Sequence, residues 1–347
     1  MLRNVTSVMN ARRAGSLALA MLLAPMLAGA AAAETAIKFS LDFSIEGPSA
    51  PFLVPLDKGY YKAEGLNVSV DPAANSLEPI DRVASGAYDM GFGDINTLIK
   101  FRDANPGTPV KAVFIVYNRP PFAVVGRKSH GVSTPKDLEG KKLGAPSLDA
   151  AYAQWPIFVQ VNGIDASKVT IENVGFPVRN PMLAAGQLDA ITGFAFSSFI
   201  NLKDRGVPVD DITVLRMADY GVKLYGNAII VNPKFAAEHP DAVKGFLRAF
   251  VKGLKDTLKQ PSTAVDSVLK RNDAVTKSAE VERLNMAIRE NILTPEVKAN
   301  GFGGMDSARF AGAIDQIALT YKFKAKPKAE DIFDASYLPP AAERKAN

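Results

Sequence analysis

The chain has 347 residues, of which 41 are Lys or Arg, 36 are Asp or Glu, two are His and none is Cys. The absence of cysteine excludes disulfides, thiol catalysis, cysteine-ligated metal sites and lipid attachment through a cysteine. Basic residues are spread among acidic ones, which argues against a nucleic-acid surface. The length and the 47% apolar content are sufficient for two ordinary domains.

Residues 1–33 have the pattern of an export signal. Arg3, Arg12 and Arg13 precede the apolar run Leu17–Leu27, and a small-residue cleavage site ends at Ala33. The run is too short to span a bilayer, so we expect cleavage near Ala33 and a soluble periplasmic protein. An uncleaved anchor and a twin-arginine signal are the alternatives. Loss of the three arginines leaves 38 basic against 36 acidic side chains, a net charge of +2.

The segment after this signal predicts a βαβ unit. Ile37–Phe43 alternates apolar and polar residues as a strand does, and Leu66–Val70 does the same. Between them, apolar residues at helical spacing predict a helix that Ser49 caps and Pro55 delays or kinks. Two strands joined through a helix indicate a parallel sheet.

A ten-residue pattern occurs at 84–93 and again at 184–193, one hundred residues later. Ala, Gly, an apolar residue, Asp and a final Gly stand at the same offsets. In each copy we expect a helix ended by the first Gly, then a short buried strand, then a glycine loop. The repeat predicts two similar α/β halves whose loops face one cleft, because ligands of such sheets bind at the carboxyl ends of strands.

Four segments carry a resemblance to a known family: Asp57–Leu66, Ala84–Asp89, Asp137–Gly144 and Ala184–Ala190. In this order they resemble the periplasmic solute-binding proteins of ABC importers. The branch concerned serves nitrate, sulfonates, taurine and the pyrimidine precursor of thiamine. The resemblance covers about 36–325 and implies an α/β, two-lobe type II binding protein. Each lobe is then a mostly parallel sheet flanked by helices, with a cleft between the lobes.

The resemblance also implies that the chain crosses between the lobes twice. A β-rich run breaks at 118–121, and Leu224–Asn227 precedes the next strand. We therefore expect lobe I at 34–118 and 228–325, lobe II at 119–227, and a loosely held tail at 326–347. Periodic apolar residues predict further helices, at 243–258, 279–291 and 307–320.

No catalytic, cofactor-binding or metal site is expected. His130 and His239 have no metal-ligand spacing, and no nucleophile elbow, phosphate-binding loop or zinc-protease motif occurs. Within the resembled family, thiamine-pyrimidine synthases use a cysteine-rich iron site, which this chain cannot form. A synthase-like enzyme is therefore the least favoured alternative.

Polar candidates for ligand contact lie in loops expected to face the cleft. Helix N-termini favour anionic groups, and the hydroxyls of Ser49 and Ser147 would add donors. Asp94 and Asp149 would instead repel an anion and favour a solute with donor groups. Arg179 has the fork that grips carboxylate or sulfonate. Helix capping and surface solvation are the simpler alternatives for these residues.

Aromatic side chains could clamp a flat ligand. The aromatic candidates are Phe43, Tyr117, Trp155, Phe194 and Tyr225. The resemblance implies cleft positions for Phe43, Phe194 and Tyr225, and core packing is the alternative for all five. Asn75 completes the predicted ligand-binding set.

The expected function is that of an extracytoplasmic receptor for an ABC importer. It would capture a small organic solute of sulfonate, aromatic carboxylate or pyrimidine type between its lobes and deliver it to a membrane permease. It would act as a monomer, without a cofactor and without nucleic acid. A ligand-sensing partner of a membrane sensor protein is the main alternative. The residues leave the solute open, with a preference for a flat body and an anionic or hydrogen-bonding head.

Overall fold

Two five-stranded sheets organise residues 34–346, the part of the chain that the computed structural model describes. The predicted export signal lies outside these residues. The strands are β1 (Thr35–Ser40), β2 (Leu66–Asp71), β3 (Met90–Asp94), β4 (Lys111–Ile115), β5 (Phe122–Arg127), β6 (Lys142–Ala145), β7 (Thr170–Asn173), β8 (Ala190–Phe194), β9 (Ile212–Arg216) and β10 (Asn227–Val231).

The two sheets have matching topologies. The strand order is β2-β1-β3-β10-β4 in the first sheet and β7-β6-β8-β5-β9 in the second. In each, the strand in fourth place runs antiparallel to both of its neighbours, and the other four strands run in one direction. The predicted mixed α/β fold with mostly parallel sheets is confirmed. The chain leaves the first sheet after β4 and returns to it at β10.

Helices flank both sheets. They are α1 (Ala50–Asp57), α2 (Tyr60–Ala63), α3 (Glu78–Ala84), α4 (Ile95–Ala104), α5 (Trp155–Val161), α6 (Phe176–Ala184), α7 (Ala195–Asp204), α8 (Pro233–Glu238), α9 (Pro240–Lys259), α10 (Pro261–Leu269), α11 (Lys277–Ala287), α12 (Pro295–Asn300), α13 (Ser307–Ala318) and α14 (Ala329–Ile332). A π-helical turn, Ile288–Ile292, extends α11. The three helices predicted from periodicity thus correspond to α9, α11 and α13.

The apolar stripe of α9 holds the core of the first sheet. Phe246 stacks on Phe39 with ring centroids 5.1 Å apart, and Phe250 meets Phe52 at 4.7 Å. All four rings are fully buried. Burial of each such ring contributes about 2–3 kcal/mol, so this contact fixes α9 and α1 on one face of the sheet.

The sequence repeat is one structural unit that the fold uses twice. Helices α3 and α6 end at Ala84 and Ala184, and Gly86 and Gly186 then turn the chain with φ of 77° and 75°. Strands β3 and β8 follow, each in the middle of its sheet. The predicted glycine loops do not form, because α4 and α7 begin directly at the ends of these strands.

The segment predicted as a loosely held tail is packed against the first sheet over its described residues. Ile332 of α14 is fully buried, and Phe333 forms a bridge to Ala112 of β4. The carbonyl of Arg344 accepts a hydrogen bond from the amide of Phe302 at 2.7 Å. The Lys-, Pro- and Ala-rich composition misled the prediction, because a few apolar anchors suffice to hold a segment.

Candidate functional site

Two adjoining cavities lie between the two sheets. The first, which we call the Arg179 cavity, is lined by Asp42, Phe43, Asn75, Ser76, Leu148, Asp149, Ala150, Phe176, Arg179, Phe194 and Ser197. The second, the Glu46 cavity, is lined by Leu41, Asp42, Phe43, Ser44, Glu46, Pro48, Ser49, Phe92, Tyr117, Phe194, Phe196 and Ser197. Most of these residues directly follow strands β1, β2, β6, β7 and β8, so the cavities lie at the carboxyl ends of strands from both sheets.

Each cavity has a volume of about 30 Å³. A buried water molecule requires about 10–15 Å³ of such space, so each cavity has room for about two. The two sides are therefore close together in this conformation.

Arg179 is nearly buried and its charge is already paired. Its Nη1 donates to Oδ2 of Asp149 at 3.0 Å, and the hydroxyl of Thr192 donates to the same oxygen at 2.6 Å. The guanidinium lies 5.1 Å from the ring centroid of Phe176. Its Nε is buried and has no hydrogen-bond partner among the described residues. Arg179 therefore brings to the cavity a cation whose charge is neutralised and whose buried Nε is available to an acceptor.

Asp42 contributes a carboxylate to both cavities. Its Oδ2 accepts a hydrogen bond from Nδ2 of Asn227 at 2.6 Å. Burial in the cavity wall raises the pKa of Asp42 to about 7, and the negative charges of Glu46 and Asp94 add to this rise. The residue is partly accessible, but what it faces is the narrow cavity and not open solvent.

Glu46 belongs to a buried network in which two carboxylates share one arginine. Its Oε2 accepts a hydrogen bond from the hydroxyl of Ser197 at 2.8 Å and lies 3.4 Å from Nη1 of Arg283. Nε of Arg283 is 3.1 Å from Oε2 of Glu280, which in turn accepts from the amide of Gly47. Burial raises the pKa of Glu46, and the charge of Arg283 opposes this rise.

Arg283 also connects the two sides of the cavities. It lies on α11, whereas Ser197 and Asn201 lie on α7, which follows β8 of the second sheet. Its Nη1 is 3.3 Å from the carbonyl oxygen of Ser197, and its Nη2 is 3.2 Å from Oδ1 of Asn201. A single guanidinium therefore joins Glu46 in the cavity wall to the helix across from it.

Aromatic rings form the apolar walls. Phe43, after β1, faces Phe176, after β7, with ring centroids 5.8 Å apart. Phe194 at the end of β8 contacts Phe196 at the same distance of 5.8 Å. Phe43 and Phe176 follow strands of different sheets, so a flat solute that packs against both rings would contact both sides at once.

The structure brings seven of the predicted site residues to these cavities. They are Phe43, Ser49, Asn75, Tyr117, Asp149, Arg179 and Phe194. Ser49 stands at the start of α1, where its hydroxyl accepts from the amide of Glu46 at 3.4 Å instead of capping the helix. Whether any of the seven contacts a ligand stays a prediction.

Four predicted site residues lie outside both cavity linings. Asp94 is fully buried as the N-cap of α4, where it accepts from the amides of Asn96 and Thr97. Ser147 is exposed one residue before Leu148. Trp155 packs in the core, with its ring centroid 6.0 Å from that of Phe158.

Tyr225, the fourth, is held in a network near the two crossings. Its hydroxyl donates to Oε1 of Glu296 at 2.9 Å, and the guanidinium of Arg309 lies 3.9 Å from its ring centroid. Its side chain therefore serves the junction of the crossings and not the cavity wall.

Sequence reasoning missed several lining residues: Asp42, Glu46, Ser76, Phe176 and Ser197. Asp42 had a usable signal, because it stands beside Phe43 at the end of the predicted first strand. Phe176 and Ser197 flank the second copy of the repeat and could have been included on that ground. Arg283 carried no signal, since nothing local in α11 indicates a partner 86 residues earlier.

Other kinds of site are not found in the described part of the chain. Within residues 34–346, no three His, Asp or Glu side chains are grouped closely enough to hold a metal ion. Over the same range, no helix has both the length and the apolar content needed to cross a membrane.

Comparison with curated proteins finds relatives of two kinds. The riboflavin-binding protein RibY of Chloroflexus aurantiacus is 29% identical over 220 residues, which are 62% of this chain and 61% of that protein. The formylaminopyrimidine-binding protein of Halalkalibacterium halodurans is 27% identical over 291 residues, 81% of this chain and 84% of that protein. A 4-amino-5-hydroxymethyl-2-methylpyrimidine phosphate synthase of Schizosaccharomyces pombe is 28% identical over 221 residues, 61% of this chain and 62% of that protein. The alignments thus span less than two thirds of the riboflavin-binding protein and of the synthase.

Solved structures share the fold. The periplasmic aliphatic sulphonate binding protein SsuA of Escherichia coli superposes with a TM-score of 0.69 at 12% identity, over 88% of this chain and 94% of that one. At this identity the likeness shows the fold alone, which is that of periplasmic binding proteins. A family model described as NMT1/THI5 like matches residues 47–264, more than half of the chain. The chain belongs to the NMT1/THI5-like family.

Proposed function

We propose that this protein is the extracytoplasmic solute receptor of an ABC importer. The observation that carries the proposal is the pair of cavities at the carboxyl ends of strands from both sheets, where ligands of α/β proteins bind. The fold of periplasmic binding proteins and two relatives named as binding proteins support it. In this proposal the signal is cleaved near Ala33, the receptor is a periplasmic monomer, and a membrane permease receives the solute.

Capture would proceed by closure of two lobes, 34–118 with 228–325 and 119–227. The crossings lie side by side, because the amide of Gly226 donates to the carbonyl of Tyr117 at 2.9 Å and the amide of Tyr117 to that of Asn227 at 3.0 Å. Two adjacent connections form a natural hinge. The solute favours the closed form because only then do both lobes contact it.

The body of the solute is flat and organic. Phe43, Phe176 and Phe194 offer ring faces from both sides, and such faces suit an aromatic or heteroaromatic solute. Of the three solute classes considered from the sequence, the aromatic carboxylate and the pyrimidine have such a body, whereas an aliphatic sulfonate does not.

The synthase among the relatives makes an enzyme the second candidate function. The chain contains no cysteine for a cysteine-rich iron site of the kind that the family resemblance implies for such synthases. We therefore place the binding role first, and the same sample can be assayed for formation of a pyrimidine phosphate.

Thermal denaturation of residues 34–347 tests the proposal. The panel contains alkyl sulfonates, aromatic carboxylates, pyrimidines, a flavin and inorganic anions. A ligand at 100 times its Kd stabilises the folded state by about 2.7 kcal/mol, which raises the midpoint by several degrees for a chain of this size. We expect the midpoint to rise with the concentration of ligands of one class.

The midpoint of Phe43→Ala should not respond to that ligand, whereas the exposed control Lys234→Ala should respond as the wild type does. No rise with any class, or turnover of a substrate, would contradict the receptor role.

A further inference from the structure

We infer that the solute presents a nitrogen head group that donates N–H hydrogen bonds and tolerates positive charge, of the amidine type, and that the cavities reject an anionic head. The inference rests on the proposed receptor function and specifies its substrate class. It is carried by the charged groups that line the cavities and by a buried donor, Nε of Arg179, that has no partner in the described part of the chain.

The two cavity linings contain more acidic than basic side chains. The carboxyl groups of Asp42, Glu46 and Asp149 line the cavities, whereas Arg179 is the guanidinium in the two linings. Asp149 already accepts from Arg179 at 3.0 Å, so this pair has no net charge. Asp42 and Glu46 are left as the acids that a solute meets.

The ionisable residues behind the lining do not make the cavity walls positive. Arg283 is shared between Glu46 and Glu280, at 3.4 Å and 3.1 Å, which leaves that trio negative when both acids are ionised. Asp94 adds a further buried carboxylate behind Asp42. Tyr117 stays neutral, because burial and the charges of both lining acids hold its pKa well above the ordinary value.

A solute head next to Asp42 therefore enters a narrow, poorly solvated space. With a pKa of about 7, Asp42 is partly protonated there at neutral pH, and a cationic head stabilises its ionised form. An anionic head loses its hydration there and, among the described lining residues, meets no cation other than Arg179, which is already paired with Asp149. A head with N–H donors instead satisfies carboxylate oxygens, and a positive charge strengthens those hydrogen bonds.

The second, independent observation concerns the opposite wall. Arg179 is 6% exposed, lines its cavity, and has a buried Nε for which residues 34–346 supply no hydrogen-bond acceptor. A buried donor is costly when left unpaired, so a ligand acceptor is the natural partner. A ring nitrogen or a carbonyl oxygen on the far edge of the solute meets this need. The site thus selects a solute that has N–H donors on one edge and a hydrogen-bond acceptor on the opposite edge.

Three probes of matched shape isolate the charge of the head. Benzamidine, benzamide and benzoate share one ring and a planar three-atom head, and at neutral pH they are cationic, neutral and anionic. Calorimetric titration of residues 34–347 should show benzamidine binding at least tenfold more tightly than benzoate, with benzamide between them. Asp42→Asn keeps the shape of the wall and should reduce the benzamidine preference to less than threefold. The control Glu64→Gln alters a half-buried acid that follows α2 and pairs with Arg248 away from both cavities, and it should leave the preference unchanged.

The outcomes separate this inference from the receptor proposal. Benzoate binding as tightly as benzamidine overturns the inference and leaves the receptor role standing. An unchanged preference in Asp42→Asn overturns the assignment of the head to Asp42. If no probe binds at millimolar concentration, the inference is also overturned, because benzamidine has both the proposed head group and the flat body. The wider solute panel then decides the receptor role on its own.

Discussion

The hydroxyl of Ser197 donates a hydrogen bond to Oε2 of Glu46 at 2.8 Å, although the two residues are 151 positions apart and follow strands of different sheets. This bond exists only while the two sides of the cavities are close together. It therefore stabilises the narrow conformation, by about 1 kcal/mol for an ordinary hydrogen bond and somewhat more when the acceptor is ionised.

Ser197→Ala should therefore shift the equilibrium towards the open form. We expect a larger radius of gyration by small-angle X-ray scattering without solute, and a solute affinity about fivefold lower, as a loss of about 1 kcal/mol implies. Ser198→Ala is the matched control, because the hydroxyl of this adjacent serine is buried and has no hydrogen-bond partner within residues 34–346. Equal effects of the two variants would show that the Ser197–Glu46 bond does not influence closure.

Arg283→Met should destabilise the fold strongly. The variant leaves the carboxylates of Glu46 and Glu280 buried without their shared cation, and breaking a buried pair from one side costs about 3–5 kcal/mol. Chemical denaturation measures the loss. Arg289→Met is the control on the same helical segment, because Arg289 is mostly exposed and its pair with Glu290 contributes less than about 1 kcal/mol. A loss in Arg283→Met no larger than in the control would refute the role of this arginine.

Arg309 joins the two crossings. Its Nη2 donates to the carbonyls of Asn118 and Leu224 at 2.7 Å and 2.9 Å, one from each connection. Arg309→Met leaves both carbonyls without this donor, so we expect a loss of about 2–3 kcal/mol and faster hydrogen exchange at the crossings. Arg248→Met, which removes an exposed pair with Glu64, should change exchange only locally. Unchanged protection at the crossings would contradict this role.

The pKa of Asp42 predicts a pH dependence with a definite sign. Because the folded-state pKa is about 7 and thus above the ordinary 3.8, the folded chain binds more protons than the unfolded chain between these values. The contribution of this group is fully present below about pH 4 and is lost as the pH rises through 7. The free energy of unfolding of the wild type, relative to Asp42→Asn, should fall over that window. A constant difference from pH 4 to 8 would show that Asp42 titrates normally.

The free energy of unfolding should also fall at acidic pH, below about pH 4. Asp57, and not Asp42, is the cause of this second decrease. Burial acts to raise the pKa of Asp57, but hydrogen bonds from Arg271 and Lys270 prevail and hold it at about 2. Its stabilisation is present above pH 4 and is lost as the pH falls through 2. Asp42→Asn should leave this second decrease unchanged.

The absence of a side chain at Gly193 leaves room for the guanidinium of Arg179 and the hydroxyl of Ser198. A Cβ at this position would lie 2.6 Å from Oγ of Ser198 and 3.0 Å from Nη2 of Arg179, so Gly193→Ala must displace one of them. We expect at least a tenfold loss of solute affinity by calorimetry. The repeat supplies a control, since Gly93→Ala meets its nearest neighbours, Ile80 and the carbonyl of Ser76, at 3.3 Å. An affinity loss of the same size in both variants would show that the position of the Arg179 guanidinium does not determine solute affinity.

Much of the scaffold could be predicted from the residues. The repeat at 84–93 and 184–193 is a local pattern of helix, left-handed Gly and strand, and each copy folds as this pattern indicates. The 3.6-residue period of α9 likewise follows from its own apolar residues. Such features depend on neighbours within a few residues, so the sequence by itself determined them.

The site was decided by the tertiary structure. The sequence indicated Arg179 as a cation for an anionic head, but folding places Asp149, 30 residues earlier, against its guanidinium and cancels the charge. Glu46 and Arg283 meet only because α11 packs beside the turn after β1. The sign of the field in a cavity depends on which charges converge there and on how far burial removes water from them. Both are properties of long-range packing, and no window of the sequence contains them.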